Sequence, residues 1–346
     1  MKIKINGTKD TDWLKEKIKR SPNLMSMIRR GVRARSNLKM KLWGIKKNLG
    51  LMPLVSVGIE PTNHCNLNCP FCLVGQQELK DSLDHDSLSR PMGFMDLELF
   101  NHLIRNVVEL GVKSVLLHFQ GEPFMHRDFF EMVRISKYYG LVVRVFTNGL
   151  LLNEDKCVQL IKAGLDEIMF SIDGASEETY QLNRVGGNFA KAHENMRALA
   201  LLNRQNGSKM RISWQFIAMR NNEHEISMAE EMAKKADVKF VVKSFAETDE
   251  NRAPVDLEMR RKLMSKPCID IYRSNFIYWD GSVVPCCYDL EGAEVMGSIK
   301  KNTLKEIWDC EKYRKFRQRV DEALIHPENE PELCRNCLKY AARSNP

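Results

Sequence analysis

The sequence predicts an α/β protein in which parallel β-strands alternate with helices. Between residues 54 and 250, six short segments rich in β-branched and aromatic residues alternate with longer segments of helical period. Hydrophobic residues make up 43% of the 346 residues and charged residues 28%, which is typical of a globular protein and excludes a mainly disordered one. We therefore expect a partial (β/α)6 TIM-like barrel over residues 54–250 and a small C-terminal α+β domain over residues 255–346.

The predicted strands are short apolar runs, and the predicted helices carry apolar residues three or four positions apart. The strands cover residues 55–60, 113–119, 141–147, 167–171, 210–217 and 238–242. The helices cover residues 96–110, 127–138, 154–163, 188–204 and 225–236. Because a helical crossover returns the chain to the start of the next strand, this alternation favours parallel strands.

After residue 250 the alternation of strands and helices stops. The sequence predicts a short helix over residues 256–265, a hairpin over 276–288 that turns at Asp280-Gly281, and a helix over 303–323. A polar loop rich in Pro and Glu then leads to Cys334 and Cys337. This change of pattern predicts a second domain.

The first fifty residues are strongly basic, with fifteen Lys or Arg against Asp10, Asp12 and Glu16. Their net charge of +12, in a chain of net charge +8, leaves the remaining residues at −4. Apolar residues recur at helical spacing between the cations, so residues 1–50 are predicted to form a basic amphipathic helical extension. Two alternatives stay open. The apolar stripe packs on the barrel, or the extension binds an anionic membrane surface, nucleic acid or an acidic partner.

The sequence has no run of about eighteen apolar residues and no signal-peptide pattern at its N-terminus. We therefore expect a cytoplasmic protein, or one held at the periphery of a membrane by residues 1–50. Nucleic acid is not the expected partner, because no further nucleic-acid-binding motif accompanies the basic segment.

Three cysteines follow the first predicted strand in the segment CNLNCPFC, at Cys65, Cys69 and Cys72. In a reducing compartment such clustering indicates metal ligation rather than disulfides. A structural zinc site requires four ligands, whereas a four-iron four-sulfur cluster held by three thiolates leaves one iron open to a chelating small molecule. The open cluster is the leading interpretation, and a zinc knuckle or reduced core cysteines are the alternatives.

The CxxxCxxC spacing of these cysteines resembles the motif of the radical S-adenosylmethionine (SAM) superfamily. Three further segments at predicted strand ends resemble segments of that family: Gln120-Gly121-Glu122-Pro123, which is similar to GGEP, Thr147-Asn148-Gly149, and Ser171-Ile172-Asp173-Gly174. The resemblance implies a [4Fe–4S] cluster whose open iron chelates SAM. It also implies that an electron from the cluster cleaves SAM to methionine and a 5′-deoxyadenosyl radical.

The resemblance further implies which residues contact SAM. Glu122 would accept the SAM ammonium, next to the backbone carbonyls of Gln120 and Gly121. Ser171 and Arg184 would hold the SAM carboxylate, because a guanidinium and a hydroxyl suit that group. Asn148 would face the ribose, and Phe71 would pack against adenine.

A second cysteine set has the pattern of the SPASM and twitch auxiliary-cluster domains. Cys268, Gly281 and Cys286 resemble the opening CX9-15GX4C of these domains, and Cys334-Arg335-Asn336-Cys337 supplies a later CxxC. The four cysteines imply one auxiliary [4Fe–4S] cluster, as in the shorter twitch type, since residues 338–346 contain no cysteine. A zinc ribbon built by the same four residues is the alternative.

A closed auxiliary cluster suits electron transfer, which favours a net oxidation. The leading hypothesis is a radical SAM oxidoreductase that converts a carbinol to a ketone on a small polyhydroxylated or amino-sugar-like molecule, with flavodoxin or ferredoxin as electron donor. The alternatives are a peptide-modifying enzyme, an epimerase, and an RNA-modifying or nucleic-acid-binding iron-sulfur protein. The polar residues that we consider for catalysis or substrate contact are His118, Gln215, Lys243, Cys287 and Tyr288.

Overall fold

The strands of the protein form one continuous sheet in its computed structural model, which describes residues 53–75, 88–244, 252, 254, 255, 268, 270–323, 331–335 and 337. The strands are β1 Ser56–Ile59, β2 Ser114–Leu117, β3 Val142–Thr147, β4 Glu167–Ser171, β5 Arg211–Ala218, β6 Lys239–Ser244, β7 Ser274–Ile277, β8 Ser282–Val284 and β9 Gly297–Ser298. Their order in the sheet is β6-β5-β4-β3-β2-β1-β7-β8-β9.

Helices alternate with the parallel strands along the chain and continue after β9. They are α1 Leu97–Glu109, α2 Phe129–Tyr138, α3 Glu154–Ala163, α4 Glu177–Asn183, α5 Phe189–Gln205, α6 Ile226–Lys235, α7 Leu304–Trp308, α8 Glu311–Glu322 and α9 Glu332–Arg335. Short polar side chains fix where the longer helices begin. Asp96, Asn153 and Asn188 each accept a hydrogen bond from a backbone N–H in the first turn of α1, α3 and α5.

Strands β1 to β6 are all parallel, and each is paired with its neighbour in sequence. Successive side chains of a strand point to opposite faces of the sheet. In β3, Val143 and Val145 are fully buried on the helix side, whereas Arg144 and Phe146 are half-buried on the concave side. The prediction of an α/β fold with a parallel sheet is confirmed, and the sheet is open rather than closed. A helix is described after each of β1 to β5, and the residues that directly follow β6 lie outside the described part of the chain.

The predicted hairpin exists, but it extends the barrel sheet. Strand β7 pairs in parallel with β1, with Ser56 opposite Ser274 and Ile59 opposite Ile277, and β8 then pairs with β7 in antiparallel orientation. The parallel pairing brings together strands more than two hundred residues apart, which local patterns do not show. The predicted division between the two domains falls near residue 250, and residues 245–251 lie outside the described part of the chain.

Arg90 links the end of the first strand to the C-terminal segment through a buried ion pair with Glu60 and a hydrogen bond to Leu290. The Arg90 guanidinium donates to both carboxylate oxygens of Glu60, at 3.2 and 3.0 Å, and lies 3.5 Å above the centre of the Tyr278 ring. Arg90 Nε also donates to the Leu290 carbonyl at 2.7 Å. Because Glu60 directly follows β1, this contact holds Leu290 beside the carboxyl ends of the strands.

Two predicted helical regions differ from the structure. Helix α4 occupies residues for which no helix was predicted, and Ser176 caps it by accepting from the Thr179 N–H. The helix predicted over residues 303–323 is broken into α7 and α8, because Cys310 accepts from the Tyr313 N–H and caps a new helix. The predicted helices within residues 1–50 and over 256–265 lie outside the described residues. Among the described helices, none is long and apolar enough to cross a bilayer.

Candidate active site

The first three cysteines lie on the loop that leaves β1. Cys69 is buried, and Cys65 and Cys72 are partly exposed. A tight turn joins two of them, since the Cys72 N–H donates to the Cys69 carbonyl at 3.0 Å. Burial raises the pKa of the Cys65 thiol to about 12 and that of Cys69 to about 11. The metal-free thiols of Cys65 and Cys69 therefore stay protonated near pH 7, and iron binding must displace their protons.

These cysteines line a cavity of about 270 Å³ at the carboxyl ends of the strands. The cavity brings together the first three predicted metal ligands, all of the predicted SAM contacts and two of the further polar candidates. The metal ligands are Cys65, Cys69 and Cys72. The SAM contacts are Phe71, Gln120, Gly121, Glu122, Asn148, Ser171 and Arg184, and the further candidates are His118 and Gln215. Parallel strands place such residues at one edge, where barrel enzymes build their sites. The structure shows where these side chains lie, and their contacts with SAM stay predictions.

Glu122 is held rigidly at the wall of this cavity. Its Oε1 accepts from the Phe124 N–H at 3.2 Å and from the Thr147 hydroxyl at 2.8 Å, and its Oε2 accepts from the Asn148 N–H at 2.7 Å. Burial raises the pKa of Glu122 to about 7, although these three hydrogen bonds lower it. A carboxylate accepts about four hydrogen bonds, so Oε2 keeps a lone pair for a further donor such as an ammonium group.

We expect Glu122→Gln to weaken SAM binding by about tenfold or more while both clusters remain bound. The variant removes the negative charge and turns one acceptor into a donor, and hydrogen bonds to charged groups contribute about 1.5–3 kcal/mol. Equilibrium binding of SAM to the reconstituted variant measures the effect, and iron content checks that the clusters are present. Equal SAM affinity in the variant and the wild type would contradict the assignment of Glu122.

Arg184 is positioned by Asp173, a residue that the sequence analysis did not place in the site. Arg184 Nε and Nη2 lie 2.7 and 2.5 Å from Asp173 Oδ2, and the Asp173 side chain is fully buried. Asp173 Oδ1 accepts from the Ile217 N–H at 2.7 Å. Arg184 Nη1 lies 3.8 Å from the Cys69 sulfur, and the guanidinium carbon is 5.4 Å from the Phe71 ring centre. The guanidinium thus lies beside both the cysteine loop and the predicted adenine contact.

We expect Asp173→Ala to lower the free energy of unfolding by about 3–5 kcal/mol, because it leaves the Arg184 charge buried without its partner. Urea denaturation of the iron-free chain measures this loss. The double variant Asp173→Ala/Arg184→Ala serves as the control. It should be more stable than the sum of the two single losses predicts. Additive losses would show that the ion pair is not energetically coupled.

Asn148 connects the end of β3 to the cysteine loop. Its Nδ2 donates to Asn66 Oδ1 at 2.9 Å, and its Oδ1 accepts from the Leu150 N–H at 3.0 Å. Asn148 is only 4% exposed, on the cavity wall. The side chain therefore orients the loop that carries Cys65, and its predicted contact with the ribose stays a prediction.

His118 directly follows β2 and faces the same cavity. Burial, together with the positive charges of Arg184 and Lys243, lowers its pKa to about 4. The imidazole is therefore neutral near pH 7. Lys243 lies on β6 with its Nζ 5.2 Å from the Phe146 ring centre, and it is not among the residues that line the cavity.

The later cysteines gather at a second, small cavity of about 20 Å³. Cys268, Cys286, Cys334 and Cys337 line it together, although they are spread over seventy residues of sequence. Cys334 and Cys337 are 9% and 8% exposed, and burial raises the pKa of Cys286 well above its ordinary value. The other two candidates, Cys287 and Tyr288, also line this cavity and not the first one.

The cavity walls include apolar residues that the sequence analysis did not identify. Phe119, Phe146, Ile217 and Leu290 are among the residues that line the first cavity. Phe146 and Ile217 follow from the alternation of β3 and β5, because every second side chain of a strand faces the same side of the sheet. Phe119 lies beyond the end of β2, where the residues on both sides of it also line the cavity, so alternation does not predict it. Leu290 gives no such signal, since a contact with Arg90, two hundred residues earlier in the chain, places it there.

The donor sets of the two cavities fit iron-sulfur clusters. The first offers three thiols and an open side lined by polar groups, and the second offers four thiols around a small apolar space. Within the described residues, no three His, Cys, Asp or Glu side chains converge on a single metal ion. The three thiols of the first set, together with the cavity that they line, suit a cluster with one iron open to a ligand.

Comparison with known proteins finds a family model over each of the two sets of cysteines. The model of the radical SAM superfamily matches residues 59–236, and a model described as an iron-sulfur cluster-binding domain, SPASM, matches residues 268–338. The two matches confirm the predicted cofactors, which are a SAM-binding [4Fe–4S] cluster, an auxiliary iron-sulfur cluster and SAM.

The names and titles of three similar proteins indicate different substrates. The PqqA peptide cyclase of Gluconobacter oxydans is 26% identical over 324 residues, covering 82% of this chain and 83% of that protein. A crystal structure of Streptococcus suis SuiB bound to the precursor peptide SuiA has a TM-score of 0.64 at 14% identity, covering 82% of this chain and 71% of SuiB. The structure of BtrN in complex with AdoMet and 2-DOIA has a TM-score of 0.51 at 19% identity, covering 82% of this chain and 92% of BtrN. The two structures share the fold with this protein. Because the superfamily model covers more than half of its residues, the chain belongs to the radical SAM superfamily.

Proposed function

We propose that this radical SAM enzyme oxidises a secondary alcohol to a ketone on a small polyhydroxylated or amino-sugar-like substrate. The observation that supports the proposal best is the set of four cysteines at the second cavity. Four thiolates complete the coordination of a four-iron cluster, so no iron of it is left to bind substrate. Such a group is suited to accept an electron.

The hydrogen atom, proton and electron that the reaction removes can each be assigned an acceptor, and the four-cysteine site is suited to accept the electron. Oxidation of a carbinol to a ketone removes one hydrogen atom from carbon, one proton from oxygen and one electron. When bound, SAM and the first cluster supply the 5′-deoxyadenosyl radical that takes the hydrogen atom and becomes 5′-deoxyadenosine. When bound at Cys268, Cys286, Cys334 and Cys337, the auxiliary cluster would accept the electron, and the proton would leave to solvent or to a neutral acceptor such as the His118 imidazole.

The residues of the chain bind and orient the reactants in this proposal. Glu122 and Arg184 offer an anion and a cation for the two ends of an amino acid, and Phe71 offers a ring for adenine. Gln215 and His118 line the same cavity and present neutral polar groups to a substrate. The enzyme's main contribution is to set which C–H bond faces the radical.

Peptide modification is the second candidate function. It is supported by the PqqA peptide cyclase of Gluconobacter oxydans, which matches 82% of this chain. The likeness of the fold to SuiB is compatible with it. In that case the substrate would be a peptide side chain, and the auxiliary cluster would serve the same electron transfer.

Anaerobic reconstitution followed by mass spectrometry separates the two candidates. The holoenzyme is incubated with SAM, reduced flavodoxin or a chemical reductant, and either a set of cyclitols and aminosugars or a set of peptides. We expect a product two hydrogen atoms lighter than one of the polyols, together with an equal amount of 5′-deoxyadenosine. Turnover of peptides alone would overturn the polyol proposal, and 5′-deoxyadenosine without any oxidised product would overturn the oxidation.

A further inference from the structure

Two buried glutamines face the first cavity with amide atoms that have no partner among the described residues. Gln120 is 6% exposed, and neither its Oε1 nor its Nε2 is hydrogen-bonded there. Gln215 is also 6% exposed, and its Oε1 is likewise unpaired. Most buried polar groups in folded proteins are paired with protein or water, so two such amides at one cavity require an explanation.

The backbone holds both side chains in place. Gly121, next to Gln120, has φ of +74°, and a Cβ there would lie 2.6 Å from the carbonyl oxygens of Thr62 and His64. This close packing fixes the backbone from which Gln120 projects. Gln215 lies on β5 directly opposite Ser171 of β4, and residues in register on neighbouring strands point to the same face. Both Ser171 and Gln215 line the cavity.

The chemistry of the unpaired atoms limits what can satisfy them. A carboxamide oxygen accepts a hydrogen bond and a carboxamide nitrogen donates two. A carboxylate or phosphate offers only acceptors and leaves both glutamine oxygens unpaired. An ammonium group offers only donors and leaves the Gln120 nitrogen unpaired. A hydroxyl both donates and accepts, so neighbouring hydroxyls satisfy an amide oxygen and an amide nitrogen at once.

We propose that Gln120 and Gln215 form a subsite that binds neutral hydroxyl groups of the substrate. This inference rests on the proposed function and narrows it, since it assigns uncharged hydroxyls to this wall of the cavity. The side chain of Gln120 then contacts substrate, and its backbone carbonyl remains available to SAM. The neutral His118 imidazole on the same wall, which is both a donor and an acceptor, agrees with this assignment.

The inference makes a prediction about stability that needs no substrate. Replacing an unpaired buried amide by leucine removes a polar group that the folded protein leaves unsatisfied, so the ligand-free holoenzyme should keep or raise its melting temperature. A structural glutamine would behave in the opposite way, because its partners would be left unpaired. Thermal melting of Gln120→Leu and Gln215→Leu measures this. A clearly lower melting temperature in both variants would overturn the proposal.

Binding of defined probes tests the subsite directly. Reconstituted holoenzyme with SAM is titrated with myo-inositol, glucosamine, an inositol phosphate and an N-acetylated peptide amide. We expect the neutral polyol or the aminosugar to bind, and each leucine variant to weaken that binding about tenfold. Gln205→Leu, on the exposed end of α5, is the matched control and should bind like the wild type. Binding of none of the polyols, stronger binding of the phosphate, or glutamine-dependent binding of the peptide alone would each overturn the subsite.

The two proposals fail in different ways. If a polyol binds in a glutamine-dependent manner but is not oxidised, the subsite stands and the proposed reaction is wrong. If a polyol is oxidised and both leucine variants bind it as well as the wild type, the reaction stands and the subsite is wrong.

Discussion

Replacing Cys65, Cys69 and Cys72 together by alanine is expected to abolish SAM cleavage and to lower the iron content from about eight to about four atoms per chain. The three thiols line the larger cavity with the predicted SAM contacts, whereas the other four cysteines line a separate one. The auxiliary cluster should therefore survive the substitution. Iron and sulfide analysis after anaerobic reconstitution, with 5′-deoxyadenosine measured by chromatography, gives both readouts.

The matched control for this experiment is Cys157→Ala. Cys157 is a buried thiol in α3 that lines neither cavity, so its loss should leave iron content and SAM cleavage unchanged. The number of iron atoms per chain is the decisive quantity. A wild-type preparation with stoichiometric zinc and no sulfide, or a triple variant that still cleaves SAM, would show that these cysteines do not hold the cluster.

Most strands and helices of the barrel can be predicted because short stretches of neighbouring residues specify them. Strand β4 and helix α3 have the predicted bounds, and the other barrel strands differ from prediction by a few residues at their ends. In each, apolar periodicity and the polar residues at the ends specify the element without reference to distant parts of the chain. The site motifs follow the same logic, because parallel topology brings consecutive strand ends to one edge.

The rest depends on contacts between distant residues. The pairing of β7 with β1 and the Arg90 hydrogen bond to Leu290 join positions about two hundred residues apart. Asp173 lies within a motif that the sequence does reveal, but its role comes from its contact with Arg184 in the folded chain. The unpaired atoms of Gln120 and Gln215 are visible only when every neighbour is placed.

The separation of Cys287 and Tyr288 from the first cavity has the same origin. Both residues follow a strand end, which suggests a place in the active site. Strand β8, however, runs antiparallel to β7, so the residues after it lie at the second cavity. A role for them as direct substrate contacts is not supported by this arrangement, and an influence on the auxiliary cluster is the alternative that the structure favours.

Replacing Cys334 and Cys337 together by alanine is expected to abolish product formation while SAM cleavage persists. The oxidation must pass one electron from the substrate to an acceptor after the hydrogen atom is removed, and the four-cysteine site is the acceptor in our proposal. Its loss leaves the first cavity intact, because the two sites share no lining residue. The ratio of 5′-deoxyadenosine to oxidised product should therefore rise steeply from about one.

The interpretation of this ratio depends on the fold of the variant. The Cys334 N–H donates a hydrogen bond to the Pro331 carbonyl, and Cys334 lines the second cavity together with Phe316 of α8. Loss of the cluster from this cavity therefore removes a group that holds this segment in place. The circular dichroism spectrum and an iron content of about four atoms would show that the barrel and its cluster are retained, and Cys157→Ala again provides the comparison. A folded double variant that still gives full product would mean that the electron leaves by another route, and the four cysteines would then be structural.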